Sequence, residues 1–163
     1  MVSDTPTAPQ ASDLEIARQN FVEKIGVFFQ TEGMPRTAGR LLGLLIFDGS
    51  ALSFGDLAEK LQVSRASIST SSRLLLQAGL IERVSKPGER QDYFQLADKP
   101  YEALISTEIA RMQHAQTEIA KAIQTIPEKN RGTCQRLGAL CNFFQSMETG
   151  LKGALPTLTK KNS

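Results

Sequence analysis

The chain has 163 residues, about one domain's worth when ~150 is the usual unit, long enough to bury a core without disulfides or metals. Hydrophobic residues at 40% and charged residues at 22% exclude an intrinsically disordered chain, and no apolar run approaches the ~18 residues of a membrane span. With 19 Lys and Arg against 17 Asp and Glu, the net charge of +2 says nothing about a polyanionic partner, so any basic signal must come from where the charges sit.

Met1 to Ser12 carries neither a basic n-region nor an apolar h-region, so no signal peptide is expected and a cytoplasmic location is the default. Residues 1–12 and 156–163 are polar, contain proline and lack periodicity, and read as mobile tails. A first helix is expected from Ser12 or Asp13 as N-cap to about Thr31, with Leu14, Phe21, Ile25 and Phe28 on one face and Val22 and Phe29 widening it. Gly33 and Pro35 then punctuate the chain. A second helix begins near Pro35 and ends at Asp48-Gly49, and its Gly39-x-x-x-Gly43 pair lets a neighbouring helix come close.

Ala51 to Ala97 is the informative stretch. Ser53 followed by Asp56 has the spacing of a capping box, and Leu57, Ala58 and Leu61 give the short helix behind it a buried face. Gln62-Val63 makes a tight connection to a second N-cap, Ser64. The helix it opens runs from Arg65 to Ala78 and stops at Gly79. Leu80 to Val84 and Gln91 to Leu96 read as strands joined by the turn Ser85–Arg90.

The last third is helical. Tyr101, Ile105, Ile109, Met112, Ala115, Ile119, Ile123 and Ile126 step by three or four until Pro127, and a final helix lines up Leu137, Leu140, Cys141, Phe144, Met147 and Leu151. These stripes exceed what one small core needs, and a second subunit is the natural cover. Cys134 and Cys141 lie about 10 Å apart along one helix axis, too far to bridge each other within a chain. They read as small buried hydrophobes, with a disulfide between subunits left open.

Short helix, tight turn, capped helix and hairpin is the order of a winged helix-turn-helix, mainly α with a small β-hairpin wing (α+β). If Ile68 centres the buried face of the Arg65–Ala78 helix with Ser72 and Leu75 beside it, then Ala66, Thr70, Arg73 and Gln77 fall opposite, flanked by Arg65, Ser67 and Ser69. Short hydroxyl side chains let such a helix sit deep in a major groove, arginine can grip guanine or phosphate, and the Ser64-capped N-terminus favours phosphate. From Ser64 to Arg90 there are five cations (Arg65, Arg73, Arg83, Lys86, Arg90) against Glu82 and Glu89, a local charge of +3. Lys86 and Arg90 at the hairpin tip suit a wing resting on the backbone or entering a minor groove. Arg36 and Arg40 could reach phosphate or pair internally with a carboxylate.

Phe21–Phe29, Pro35–Arg40, Leu57-Ala58, Val63-Ser64, Ile68-Ser69, Gly79–Val84 and Gly88–Tyr93 resemble the GbsR-like branch of the MarR superfamily of transcriptional regulators. The likeness spans about residues 14–150 and is specific in Phe21–Arg40 and Ser64–Tyr93. It implies a homodimeric winged-helix repressor, with the terminal helices at the dimer interface and a ligand pocket between the halves. In that frame Arg65, Ser67, Ser69, Thr70 and Arg73 match the recognition helix and Arg90 the wing arginine. The chain then divides into a tail over 1–12, a dimerisation helix over 13–34, a DNA-binding unit over 35–97, dimerisation helices over 98–155 and a tail over 156–163. The DNA-binding set is Ser64, Arg65, Ala66, Ser67, Ser69, Thr70, Arg73, Lys86 and Arg90. The dimerisation set is Leu14, Phe21, Ile109, Met112, Ile119, Phe144 and Met147.

The expected partners are double-stranded DNA and a second copy of the chain, with no membrane, cofactor or metal. A small-molecule effector, thiol oxidation or a protein partner stays open as the means of release. The serine run Ser67–Ser72 lacks a nucleophile elbow and the lone His114 is distant, so no enzyme is expected and His114 reads as a solvated helix residue. The alternative, a winged-helix module for protein–protein contact without DNA binding, calls for apolar residues on the outer face of the second helix of the helix-turn-helix, Arg65–Ala78. Ala66, Thr70, Arg73 and Gln77 argue against it.

Overall fold

Two helices whose facing residues are glycines can touch backbone to backbone, and the first unit of this protein is built on such a contact. A computed structural model of the chain describes residues 11–159. Helix α1 (Ala11–Thr31) packs on α2 (Arg36–Asp48), and a β-carbon on Gly39 would lie 2.5 Å from the Ile25 carbonyl oxygen and 2.9 Å from the Gly26 Cα. One on Gly43 would lie 3.3 Å from the Val22 Cα. The expected close approach at Gly39 and Gly43 is therefore present.

That contact selects which part of the expected apolar face of α1 is buried within the chain. Val22 and Phe29 are 5% and 7% exposed, whereas Leu14 and Phe28 remain 58% and 57% exposed. The packed stripe is Val22, Gly26 and Phe29, because the helix turns its smallest residue to its neighbour, which carries Leu14 and Phe28 outward. Ala11 and Ser12 are already helical, so Ser12 lies within the helix rather than capping it; the rest of the expected first tail, 1–10, falls outside the described residues.

Leu52–Ser53 forms β1, followed by α3 (Phe54–Leu61), α4 (Arg65–Gln77), β2 (Ile81–Val84) and β3 (Tyr93–Leu96). The Ser53 hydroxyl accepts from the Asp56 N–H at 3.1 Å while the Asp56 carboxylate accepts from the Ser53 N–H at 3.0 Å, the reciprocal box expected at that spacing. Those bonds from the Ser53 side chain and backbone hold the Asp56 carboxyl below its ordinary range. Gln62, with φ of 53°, makes the tight turn, and Gly79, with φ of 68°, ends α4 as its N–H and that of Leu80 return to Leu76 and Leu75.

The wing is more than the expected hairpin. β1 joins as a third strand, giving an antiparallel sheet in the order β1-β3-β2, with Leu52 opposite Phe94 and Arg83 opposite Phe94 on the other side. A two-residue strand is too short to show an alternation, which is why the sequence did not reveal it. Leu41, Leu45, Leu57, Leu61, Ile68, Leu75 and Phe94 form the centre of the core, drawing on α2, α3, α4 and the sheet.

The second unit runs from Lys99. Helix α5 (Pro100–Thr125) packs against α6 (Arg131–Thr159), and Met112, Ile119, Leu137, Cys141 and Phe144 of the pair are half-buried. Among the described residues no helix is long and apolar enough to cross a membrane. The expectation of a tail from Pro156 is corrected as far as Thr159: the helix continues past the proline, with the Thr157 hydroxyl donating to the Ala154 carbonyl at 2.6 Å. Residues 160–163 lie outside the described residues.

Glu148 ties the two helices of this unit together. Its carboxylate accepts from Gln113 at 2.8 Å and Gln116 at 2.7 Å, both on α5, and pairs with Lys152 at 2.6 Å. Lys152, then Gln116 and Gln113, lower its pKa from 4.5 to about 2. A depressed carboxyl stabilises the fold fully above its unfolded value and loses that contribution as the pH falls through its folded value. Urea unfolding followed between pH 5 and pH 2 is therefore expected to show a steep loss of stability that Glu148→Gln flattens. An unchanged acid profile in the variant would exclude Glu148 as its source.

Candidate nucleic-acid interface

An α-helix presents residues about 100° apart, so the hydrophobic anchors of α4 dictate what it shows to solvent. Ile68, Ser71, Ser72 and Leu75 are buried, and Ala66, Thr70, Arg73 and Gln77 are exposed on the opposite side. The outer face is therefore largely polar, with Leu74 39% exposed at its margin, and no segment within the first unit covers it. Ser64 caps the helix, accepting from the Ser67 N–H at 3.1 Å, so its hydroxyl is already committed. Arg65 is exposed, and Ser67 and Ser69 are half-buried at the edges of the face.

The five local cations are not equivalent. The Arg65 guanidinium lies 5.1 Å from the ring centroid of Phe54, which in turn lies 6.4 Å from that of Phe94. Arg83 is over Phe94 at 5.8 Å and pairs with Asp92 at 3.3 Å. Lys86 Nζ stands 4.0 Å from the centre of the Tyr93 ring. Arg73 and Arg90, by contrast, have no ion pair or ring contact among the described residues, and both are exposed. Neither has to give up an internal partner to meet a phosphate or a base.

Arg36 and Arg40 both pair with Glu23, each at 2.6 Å, Arg36 at the exposed surface and Arg40 half-buried, so each already has a partner within the chain. A hollow of about 370 Å³ nearby, bounded by α1, α2 and α3, is lined by Arg18, Arg40, Lys60, Glu15 and Glu23 over an apolar floor of Val22, Leu44 and Leu61. Its charges are matched within the chain, with Arg18 on Glu15 at 2.5 Å.

Of the residues expected at a dimer seam, Leu14 and Met147 are exposed, Phe21 is half-buried against Phe47 at 5.9 Å, Met112, Ile119 and Phe144 are half-buried, and Ile109 is buried. His114 is exposed, and both cysteines are free and half-buried. What sequence reasoning missed are the aromatic supports, Phe54 under Arg65 and Tyr93 under Lys86. The hairpin register, which sets Val84 opposite Tyr93, is the signal that could have found the second of them.

A model of the MarR family matches residues 32–91, the span from the start of α2 to the wing. Over 136 residues the chain is 33% identical to the HTH-type transcriptional regulator MmpR5 of Mycobacterium tuberculosis, covering 83% of this chain and 82% of that protein. It is 30% identical over 93 residues to the HTH-type transcriptional repressor OpcR of Bacillus subtilis, covering 57% of this chain and 50% of the relative. A solved structure of a transcriptional regulator superposes with a TM-score of 0.76 at 30% identity, covering 89% of this chain and 99% of the other. A helix-turn-helix with an outward polar face, a three-stranded wing and this likeness across four-fifths of the chain agree: the protein belongs to the MarR family of winged-helix transcriptional regulators.

Proposed function

We propose that the chain represses transcription as a homodimer on a pseudo-palindromic operator, and that it falls within the GbsR-like branch of its family. Each subunit lays α4 in a major groove with Thr70, Arg73 and Gln77 towards the base edges, Ser64, Arg65, Ala66, Ser67 and Ser69 along the groove wall, and Lys86 and Arg90 of the wing on the adjacent backbone. Half-sites then lie about one helical turn, roughly 34–36 Å, apart. The observation that carries this reading is the exposure of Thr70 and Arg73 over a buried Ile68 and Leu75. The dimer seam is assigned to Leu14, Phe21, Ile109, Met112, Ile119, Phe144 and Met147, which supports the reading through the apolar surface left exposed at Leu14, Phe28, Leu140 and Phe143.

The test is a binding titration at several salt concentrations on a duplex selected by the protein from a random-sequence library. With five candidate cations per subunit and about half of them on phosphate, log K against log salt is expected to slope by roughly −4 to −8. No selected duplex and a flat salt response would overturn the reading.

A further inference from the structure

A hairpin tip has no core of its own, and a free two-stranded ribbon is marginal in water. Residues 85–92 of the wing are such a tip, and they close on one side chain at its base. Tyr93 is buried, its hydroxyl donates to the Glu89 carboxylate, and it accepts from Gln91 Nε2 at 3.0 Å. Lys86, on the other arm of the loop, places its ammonium 4.0 Å from the centre of the same ring, and its carbonyl accepts from the Glu89 N–H at 3.1 Å. Both arms are thus tied to Tyr93.

The same contacts settle the charges around Arg90. Glu89 is engaged by Tyr93 and Gln91, and Asp92 is held by Arg83 at 3.3 Å. The two carboxylates flanking Arg90 in the chain are both occupied, and Arg90 is left without an ion pair among the described residues. The Tyr93 hydroxyl, and then Gln91, hold the Glu89 carboxyl below its ordinary range, while Glu89, and then burial, raise the Tyr93 hydroxyl. Both groups keep the protonation state the bond requires at neutral pH.

We propose that Tyr93 and Glu89 are positioning residues of the DNA interface: together they form a post that sets the wing tip before DNA arrives, presents Lys86 from the ring and keeps Arg90 free. Neither touches DNA. The inference rests on the DNA-binding reading above, and it makes a prediction of opposite sign to simple electrostatics. A carboxylate that merely sat near the duplex would repel it, so removing it would tighten binding. As part of the post, Glu89 strengthens binding despite its charge, because a wing ordered in advance has less to lose on association.

The experiment compares the unaltered protein with Glu89→Ala, Glu89→Gln, Tyr93→Phe and the Glu89→Ala/Tyr93→Phe pair. Fluorescence anisotropy is read on a labelled duplex selected from a random library by the unaltered protein, and amide hydrogen exchange of residues 85–92 is read in the free protein. Glu89→Ala and Tyr93→Phe are each expected to weaken binding by about three- to tenfold and to speed exchange at the Glu89 amide, with the pair no worse than either alone. Glu89→Gln keeps an acceptor for the tyrosine hydroxyl and is expected to bind at least as tightly as the unaltered protein, with its exchange unchanged. Glu89→Ala that binds more tightly, with wing exchange untouched, overturns the post. If the unaltered protein selects no duplex, the DNA-binding reading fails and the exchange arm decides alone: faster exchange in both single variants upholds the post as a feature of the wing, and unaltered exchange ends it.

Discussion

Arg73→Ala is expected to cost about 1–3 kcal/mol in affinity for the selected duplex, roughly 5- to 150-fold, while changing binding to random-sequence DNA far less. Arg73 projects from the exposed face of α4 between Thr70 and Gln77, on the side away from the buried Ile68, Ser71, Ser72 and Leu75 that anchor the helix. It has no internal partner to abandon, so whatever it gains on a base edge is kept as affinity. Arg83 is the informative contrast. Already shared between Asp92 and the Phe94 ring, it is expected to lose much less when truncated. Competition titrations against point-substituted operators separate the outcomes. Relaxed choice at one position per half-site supports a base contact. Uniform weakening with the salt slope smaller by about one would make Arg73 a phosphate contact instead.

Gly39→Ala is expected to destabilise the fold by about 1–3 kcal/mol, even though alanine favours a helix over glycine by about 1 kcal/mol. The added methyl would sit 2.5 Å from the Ile25 carbonyl oxygen, 2.7 Å from the Phe29 Cβ and 2.9 Å from the Gly26 Cα. Two of those three atoms are backbone, so relief requires prising α1 from α2 rather than turning a rotamer. Gly150→Ala is the matched control. Nothing lies within 4 Å of its added carbon, and the same propensity gain of up to about 1 kcal/mol is then expected to stabilise. Chemical denaturation midpoints of the two variants should move in opposite directions, and a Gly39→Ala midpoint at or above the parent would refute the close contact.

Helix α4 was legible in the sequence because its signals are local and redundant. Ser64 caps it, Gly79 ends it, and Ile68 and Leu75, seven residues apart, fix which side is buried. The capping box at Ser53 and Asp56 was legible for the same reason. The stripe by which α1 packs on α2 was not legible because periodicity weighs large apolar side chains, whereas that stripe is centred on Gly26 and set by the glycines of a neighbouring helix. β1 is too short to have a pattern, and the support of Arg65 comes from how α3 and α4 pack, which periodicity does not show, whereas that of Lys86 was readable only once the hairpin register was fixed. Composition gave the tail at 156–163 its polar look, yet α6 runs through Pro156 to Thr159.

The bare seam between α1 and α2 also bears on how a regulator of this kind can be worked. Close-packed interiors compress little and pass strain from one element to the next. At Gly39 and Gly43 the backbones of α1 and α2 meet with no side chain between them, and α2 packs in turn on α4. A push of an ångström on the first helix is therefore expected to be felt directly by α2, and through its side chains by the element that carries Arg73.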